Sequence, residues 1–553
     1  MRSIEVKTIP VKTLRRHLEL GRFAVPRLQR EFVWNGKKAA MLFDSIYRRM
    51  PIGSLLVWKT GRNNESLLRK AMHILPPYDR TNPHIWFLID GQQRLSVLYQ
   101  CMSGGDPKIN ADDKEVDFSK VTFAVNGVAD GGIQFAYRTP VDGEFVSVRA
   151  ILAPNWRQKL ARLPKYKLDR LAKCRAAVLT YPLPVIFTQT TNIEDVKQLF
   201  IRINSAGTPI RAADRTFTEI SDIDLREMAH ELRDQLQVGG FRRVPPETVL
   251  QGFALALDPK SQDVGERAYR STLRAWEKEA MVDDAATKRA YAEWDRYKRA
   301  CGLAVDYLRM TFCLRDAEFL PSTNMLATLA VFFFHHPSQP HSAQRREIRK
   351  WFWATGVGKR YSGRGYRENI IADSALFRRL ARTGHGRFAF PQRVPHSEVR
   401  AAQYGQRSSV TNAFYCLLAN LEPCYFKNGE PLPVDLYAVR ANRKNRHHIF
   451  PQTLASNSGL VPSQYNSICN ICFLDEQTNQ EIGAKSPRVY LTEWRNRRFF
   501  ARAMRSHRIP YERSSPLWLR GVKRAYPRFV KARLALLCRE FEKQAGIKLF
   551  QKD

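Results

Sequence analysis

The chain has 553 residues, with 90 Lys and Arg against 53 Asp and Glu, a formal charge of +37 and a pI near 10.1. That length exceeds one hydrophobic core and implies roughly two to four domains, while 44% hydrophobic and 26% charged residues exclude a disordered chain. No apolar run approaches the roughly eighteen residues of a membrane span, and the start Met1-Arg2-Ser3-Ile4-Glu5 lacks an apolar signal region, so a cytoplasmic protein with no membrane partner is expected.

The charge excess attracts polyanions, nucleic acid foremost. The nine cysteines are scattered and odd in number, which argues for free thiols. Cys469 and Cys472 form a CxxC, but no second CxxC completes a four-thiolate zinc site, so both are read as core.

The N-terminal part opens with an extended, Pro-punctuated stretch, Phe23 to Trp34, containing Arg27, Gln29 and Arg30. A helix is predicted from about Gly36 to Arg49, its apolar face formed by Ala40, Phe43, Ile46 and Tyr47. Ser54–Trp58 and Ile85–Ile89 read as strands. The second strand runs into Asp90-Gly91-Gln92-Gln93-Arg94, where a helix begins. Asp90 and Gln93 have capping-box spacing, which makes Asp90 a candidate cap. The same geometry offers free N–H groups to an anion, with Gln92, Gln93 and Arg94 as further donors for phosphate or a base edge. Residues 103–150 read as hairpins. Leu183–Phe187 is another strand, followed by a helix capped by Asn192 with Val196, Leu199, Phe200 and Ile203 as its stripe. That helix ends at Arg202-Ile203-Asn204-Ser205-Ala206-Gly207, where Arg202 and Asn204 face either a ligand or solvent.

Residues 218–400 read as mostly helical, with Leu225–Leu236, the run 266–308 and the apolar Met325–Phe334 as principal elements. Lys359–Arg364 is a basic turn suited to phosphate, and His385–His396 reads as a linker.

The C-terminal part carries the densest motif. Arg446-His447-His448-Ile449-Phe450-Pro451 reads as a short strand closed by proline. Asn470 precedes the apolar strand Ile471–Leu474, and Asn479 follows it at the start of a helix. Strand, loop, strand and helix around one ion are the layout of an HNH nuclease. In that layout His448 is the general base, and His447 and Asn479 are metal ligands. Asn470 positions the loop or His448 through its amide. Neutral nitrogen and oxygen ligands suit Mg²⁺ or Mn²⁺. On a regular strand His447 and His448 point to opposite faces. Basic residues flank the motif: Arg440, Arg443, Lys444 and Arg446 before it, and Arg495, Arg497, Arg498, Arg502, Arg505 and Arg508 after it, with Trp494, Phe499 and Phe500 interleaved. Residues 401–553 hold 25 Lys and Arg against 11 Asp and Glu, which favours phosphate contact.

Four stretches together resemble the two-part modification-dependent restriction proteins of the GmrSD and SspE type. They are Val25–Trp34, the intact Asp90–Arg94, Phe200–Gly207, and His448–Pro451 with Asn470, Asn479 and Ser486-Pro487. The resemblance implies an α+β multidomain chain. Its parts are an N-terminal ParB/sulfiredoxin-like α/β domain (1–217), a helical middle (218–400) and a C-terminal helical domain with a ββα-metal HNH motif (401–553). It implies that the first domain binds and hydrolyses a nucleoside triphosphate (GTP, ATP or UTP). Asp90, Gln92, Gln93 and Arg94 stand at the centre of that activity, and Arg27, Gln29, Arg30, Arg202 and Asn204 are further binding candidates. It further implies that sensing of modified phage or host DNA licenses an HNH endonuclease on double-stranded DNA in phage defence, alone, as a homo-oligomer or with companion proteins. The position before the HNH histidine is often acidic in such nucleases, and here it is His447. A DNA-sensing protein with a vestigial nuclease is the alternative.

Overall fold

A computed structural model describes residues 3–27, 29, 32–69, 74–103, 108–111, 114–127, 132–190, 193–205, 212–220, 222–433 and 446–553. Arg30, Asn192, Gly207, Arg440, Arg443 and Lys444 lie outside the described residues, as do the side chains of Asn204 and Arg446. The chain divides into two compact units, Met1–Arg226 and Glu227–Asp553. The first is mixed α/β around a sheet and the second is mostly helical. Among the described residues no helix is long and apolar enough to cross a membrane.

The strands of the first unit's sheet are β1 (Ser3–Pro10), β2 (Phe23–Ala24), β3 (Leu55–Thr60), β4 (Ile85–Asp90) and β10 (Pro182–Gln189), in the order β1-β10-β3-β4-β2. β10 and β3 are parallel, whereas β1 with β10 and β3 with β4 are antiparallel. β3 reads as a continuous apolar run because both its faces are covered. Leu55 and Val57 join one core with Leu14 and Leu18 of α1 (Val11–Glu19), Phe43 and Ile46 of α2 (Gly36–Tyr47), and Leu95 and Leu98 of α3 (Gln92–Met102). Leu56 and Trp58 point the other way, into a second core with Phe87 and Ile89 of β4, closed by Val196 and Phe200 of the helix Ile193–Ser205. The predicted stripe of that helix is thus the lid of the second core. Residues 108–147 form the expected small sheets: a hairpin of β5 (Lys108–Ala111) and β6 (Lys114–Asp117), and β7 (Val121–Ala124) between β8 (Phe135–Tyr137) and β9 (Phe145–Ser147).

In the second unit the helix Asn324–His335 is buried from Met325 through Phe334. Trp351, Phe352 and Trp353 of the helix Ser342–Val357 are buried as well. The basic turn at 359–364 is partly committed to the fold rather than to phosphate. Arg360 makes a bidentate pair with buried Asp373 (2.9 and 2.8 Å), which also accepts from Tyr361 Oη at 2.9 Å. The stretch 385–396 packs into this unit instead of linking domains: the Phe388 N–H donates to Glu347 Oε2, and β11 (Val394–Pro395) pairs with β14 (Phe550–Gln551).

Helix Val522–Ala545 contributes a fully buried arginine. Arg533 Nη1 donates to the Cys469 carbonyl and Nη2 to the His507 carbonyl, both at 2.9 Å. Neither acceptor is a carboxylate, and burial pushes the Arg533 pKa down to about 10. His507 is buried beside it. Its Nε2 donates to the Cys424 carbonyl at 3.0 Å, and its Nδ1 has no hydrogen-bond partner. Burial, opposed by the Cys424 contact and aided by Arg533, lowers the His507 pKa to about 4. The unfolded chain binds a proton at this ring below the ordinary value near 6.5, and the folded chain does not. Stability is therefore fully present above about pH 6.5 and is lost as pH falls toward 4, on the order of 3 kcal/mol at full development. Thermal unfolding followed from pH 7 to pH 4.5 is expected to show a falling midpoint, and His507→Gln, which keeps the donor to Cys424, a shallower fall.

Candidate functional site

Two places gather the motif residues, one in each unit. In the first, β4 delivers Asp90 and the chain turns through Gly91, whose φ of 92° is left-handed. A Cβ at Gly91 would lie 2.3 Å from Leu55 Cδ2, so both backbone and space demand glycine here. Gly91 occupies the N-cap of α3 and no side chain caps it, which corrects the capping role expected for Asp90. Asp90 instead accepts from Arg94 Nη2 at 2.9 Å, and Arg94 Nη1 donates to the Ile52 carbonyl at 2.6 Å. Gln93 Oε1 accepts from the N–H groups of Val33 (2.9 Å) and Trp34 (3.2 Å). Gln29 is buried, its Nε2 donating to the carbonyls of Leu88 and Ile89.

These bonds draw Gln29, Val33 and Trp34, the Pro51-Ile52 turn and the start of α3 around a cleft of about 510 Å³, lined also by Lys38, Met41 and Ser45 of α2 and by Ile203. The volume suits a small organic ligand. Lys38 and the first turn of α3 suit anionic groups, and Asp90 adds a carboxylate. Gln29, Asp90, Gln92, Gln93 and Arg94 are brought together. Arg27 is not among the lining residues: it pairs with Asp224 at 3.2 Å. Arg202 is exposed on the helix whose Ile203 lines the cleft.

In the second unit, β12 (Arg446–His448) pairs antiparallel with β13 (Ile471–Phe473), His448 opposite Ile471 and His447 opposite Cys472, and the helix Glu476–Ile482 follows. The strand–strand–helix order is the expected one. Asn470 is fully buried and closes the intervening loop. Its Oδ1 accepts from Phe450 N at 2.8 Å, and its Nδ2 donates to the carbonyls of Phe450 (3.1 Å) and Tyr465 (2.9 Å). Of the two roles considered for Asn470, positioning the loop is the one these bonds serve.

The partner of His448 is Asn466, whose Oδ1 lies 2.8 Å from His448 Nε2. With Nε2 as the donor, Nδ1 carries the free lone pair. Burial lowers the His448 pKa against the opposing Asn466 contact, which favours the neutral imidazole that a general base requires. Tyr404 packs edge-on against the His448 ring, centroids 5.3 Å apart, and its N–H donates to the Asn466 carbonyl at 2.6 Å. Asn466 and Tyr404 are thus the residues missed in the sequence. Asn466 had one visible signal, a third asparagine four residues before Asn470.

His447 takes a different environment. It is 8% exposed, and its Nε2 is buried without a hydrogen-bond partner. Burial and the neighbouring His448 lower its pKa to about 4, against Asp475 and the Leu474 backbone. A neutral imidazole with an unused lone pair at Nε2, held from its other side by a backbone group, fits a metal ligand. Asn479 is half-buried on the Glu476–Ile482 helix. Among the described residues no group of three His, Cys, Asp or Glu side chains is placed to hold a metal. Cys469 and Cys472 are buried, their thiols pushed up to about 11 and about 12 by burial, as expected of core residues. Trp494 and Phe500 are also core, while Arg495, Arg497, Arg498, Arg502 and Arg505 are exposed.

Asn470→Ala leaves three buried backbone groups without partners and is expected to cost about 3 kcal/mol or more, read as a lower denaturant midpoint. Gly91→Ala combines a strained φ with the Leu55 contact. It is expected to lower stability by about 2 kcal/mol, while Gly132→Ala, equally left-handed but in open space, isolates the backbone contribution.

Residues 11–219 match the family described as GmrSD restriction endonuclease, N-terminal domain. An uncharacterized protein of Methanocaldococcus jannaschii is 23% identical over 519 residues, covering 86% of this chain and 84% of that protein. The matched span holds four of the sheet's five strands, β1 lying wholly before it, together with every described residue that lines the cleft. Residues 11–219 are thus similar to the N-terminal domain of GmrSD-type restriction proteins.

Proposed function

We propose that the chain is a metal-dependent DNA endonuclease of a restriction system. In this reading the β12–β13–helix element cuts, and the cleft beside Asp90–Arg94 binds and hydrolyses a nucleoside triphosphate that couples sensing of modified DNA to cutting. The observation that carries the nuclease assignment is the pair of adjacent histidines in contrasting states: His448 with Nε2 on Asn466, and His447 with a buried, unpartnered Nε2.

His448 Nδ1 takes a proton from water as the water oxygen bonds to the scissile phosphorus. The bond from phosphorus to the departing sugar oxygen breaks, and that oxygen is protonated from solvent. Asn466 keeps the base in one tautomer and orientation. His447 Nε2 and the Asn479 amide oxygen would hold Mg²⁺ or Mn²⁺, which when bound stabilises negative charge on the phosphate and the leaving oxygen. The exposed arginines at 495, 497, 498, 502 and 505 supply phosphate contacts. In the N-terminal cleft, Lys38 and the first turn of α3 suit the phosphates, and Asp90, fixed by Arg94, suits orientation of a water or of the nucleotide's own cation. The second reading is a DNA-modification sensor whose nuclease element is vestigial.

Nicking of supercoiled plasmid separates the two. Wild type and His448→Ala are compared with Mg²⁺ or Mn²⁺, with and without GTP, ATP or UTP, on unmodified, phosphorothioated and glucosylated DNA. The nuclease reading expects metal-dependent nicking that His448→Ala lowers by about a hundredfold or more. Asp90→Asn is expected to abolish triphosphate hydrolysis, which His448→Ala retains. Tight DNA binding without nicking on any substrate would establish the sensor instead.

A further inference from the structure

Among the described residues, the sheet of the first unit ends in an edge, β1, that no further strand covers. β1 has β10 as its one strand partner among the described residues, in an unbroken register from Ser3↔Gln189 to Pro10↔Pro182. Every residue from Ser3 to Thr8 is exposed, with Ile4 at 74% and Val6 at 64%. The outer side of the strand therefore presents a row of backbone N–H and C=O groups flanked by apolar side chains. Edge strands are normally kept from pairing by shortness, a bulge, a proline or a lysine. β1 is eight residues long, has no bulge against β10, and carries its proline only at the end. Its lysine is neutralised within the strand, since Lys7 Nζ lies 2.8 Å from Glu5 Oε1 on the same face.

The sequence of the strand is self-complementary in one register. When two copies pair antiparallel about a twofold axis normal to the sheet, directly opposed residues lie on the same face. The axis must then pass beside a residue rather than between two. Centred on Glu5, the register sets glutamate against glutamate; centred on Lys7, it sets lysine against lysine. Centred on Val6, it sets Glu5 against Lys7 twice, Ile4 against Thr8 twice and Val6 against Val6, so that every opposed pair is favourable or neutral.

We infer that β1 is a self-association edge: two copies of the chain join antiparallel through β1, centred on Val6, into one continuous sheet. The charge of +37 on each chain opposes the contact and the area is small, so the dimer is of the weak, reversible class.

Sedimentation equilibrium of the full chain over a concentration series tests this, with Glu5→Lys, Lys7→Glu and the double exchange as variants. All three sit on exposed positions, and circular dichroism verifies their folding. Wild type is expected to be in monomer–dimer exchange. Either single exchange sets like charges against each other at both positions and is expected to weaken the dimer at least about tenfold. The double exchange restores it. So does an equimolar mixture of the two single variants, because the strand that is lysine at both positions then faces the strand that is glutamate at both. A wild type that stays monomeric up to about 100 µM, single variants that dimerise like wild type, or a mixture that fails to recover each overturn the inference.

Discussion

An irregular segment that must also be buried leaves backbone N–H and C=O groups with no ladder to join, and each orphan costs about as much as a lost hydrogen bond. Both candidate sites answer that constraint with uncharged amide side chains. Gln93 receives two N–H groups of the 33–34 segment, Gln29 gives its donors to two carbonyls of β4, and Asn470 satisfies three groups of the Phe450 and Tyr465 backbone. An amide carries donor and acceptor together and no charge to desolvate. The residues with the most site-like appearance in the sequence therefore divide in two: some hold the walls, and fewer are left to meet a ligand.

The elements were legible because they rest on local pattern. Strand, left-handed glycine and helix at 85–102, the helix Leu225–Leu236, and the short strands around His448 and Asn470 follow from apolar runs and periods that a chain segment carries by itself. The partners were not, because they are set by tertiary closure. Gln93 bonds a segment about 60 residues away, and His448 finds Asn466 at a separation of 18 residues. Asp90 misled for a different reason: its spacing to Gln93 is that of a capping box, but Gly91 takes the cap position and moves Asp90 onto Arg94. The aromatics among the C-terminal arginines misled as well. Trp494 and Phe500 face inward because the short helices there need a core, while Arg495 lies over the Trp518 ring at 4.3 Å and Arg497, Arg498, Arg502 and Arg505 are exposed.

The charge excess is likewise less uniform in effect than in count. Arg360 is spent on Asp373, Arg508 on Glu540, and Arg533 on two carbonyls. Arg495, Arg497, Arg498, Arg502 and Arg505 remain exposed in the same unit as the histidines. A buried guanidinium bound to neutral oxygens is costly to place but hard to replace, because lysine cannot span two carbonyls with a planar fork.

Arg533 also orders events in time. It joins the Cys469 carbonyl, next to the asparagine that closes the histidine loop, to the His507 carbonyl, and it follows Cys469 by 64 residues. Domains form largely in the order in which synthesis delivers them. The loop around His448 therefore lacks this support until synthesis has passed Arg533, after the N-terminal domain has been made.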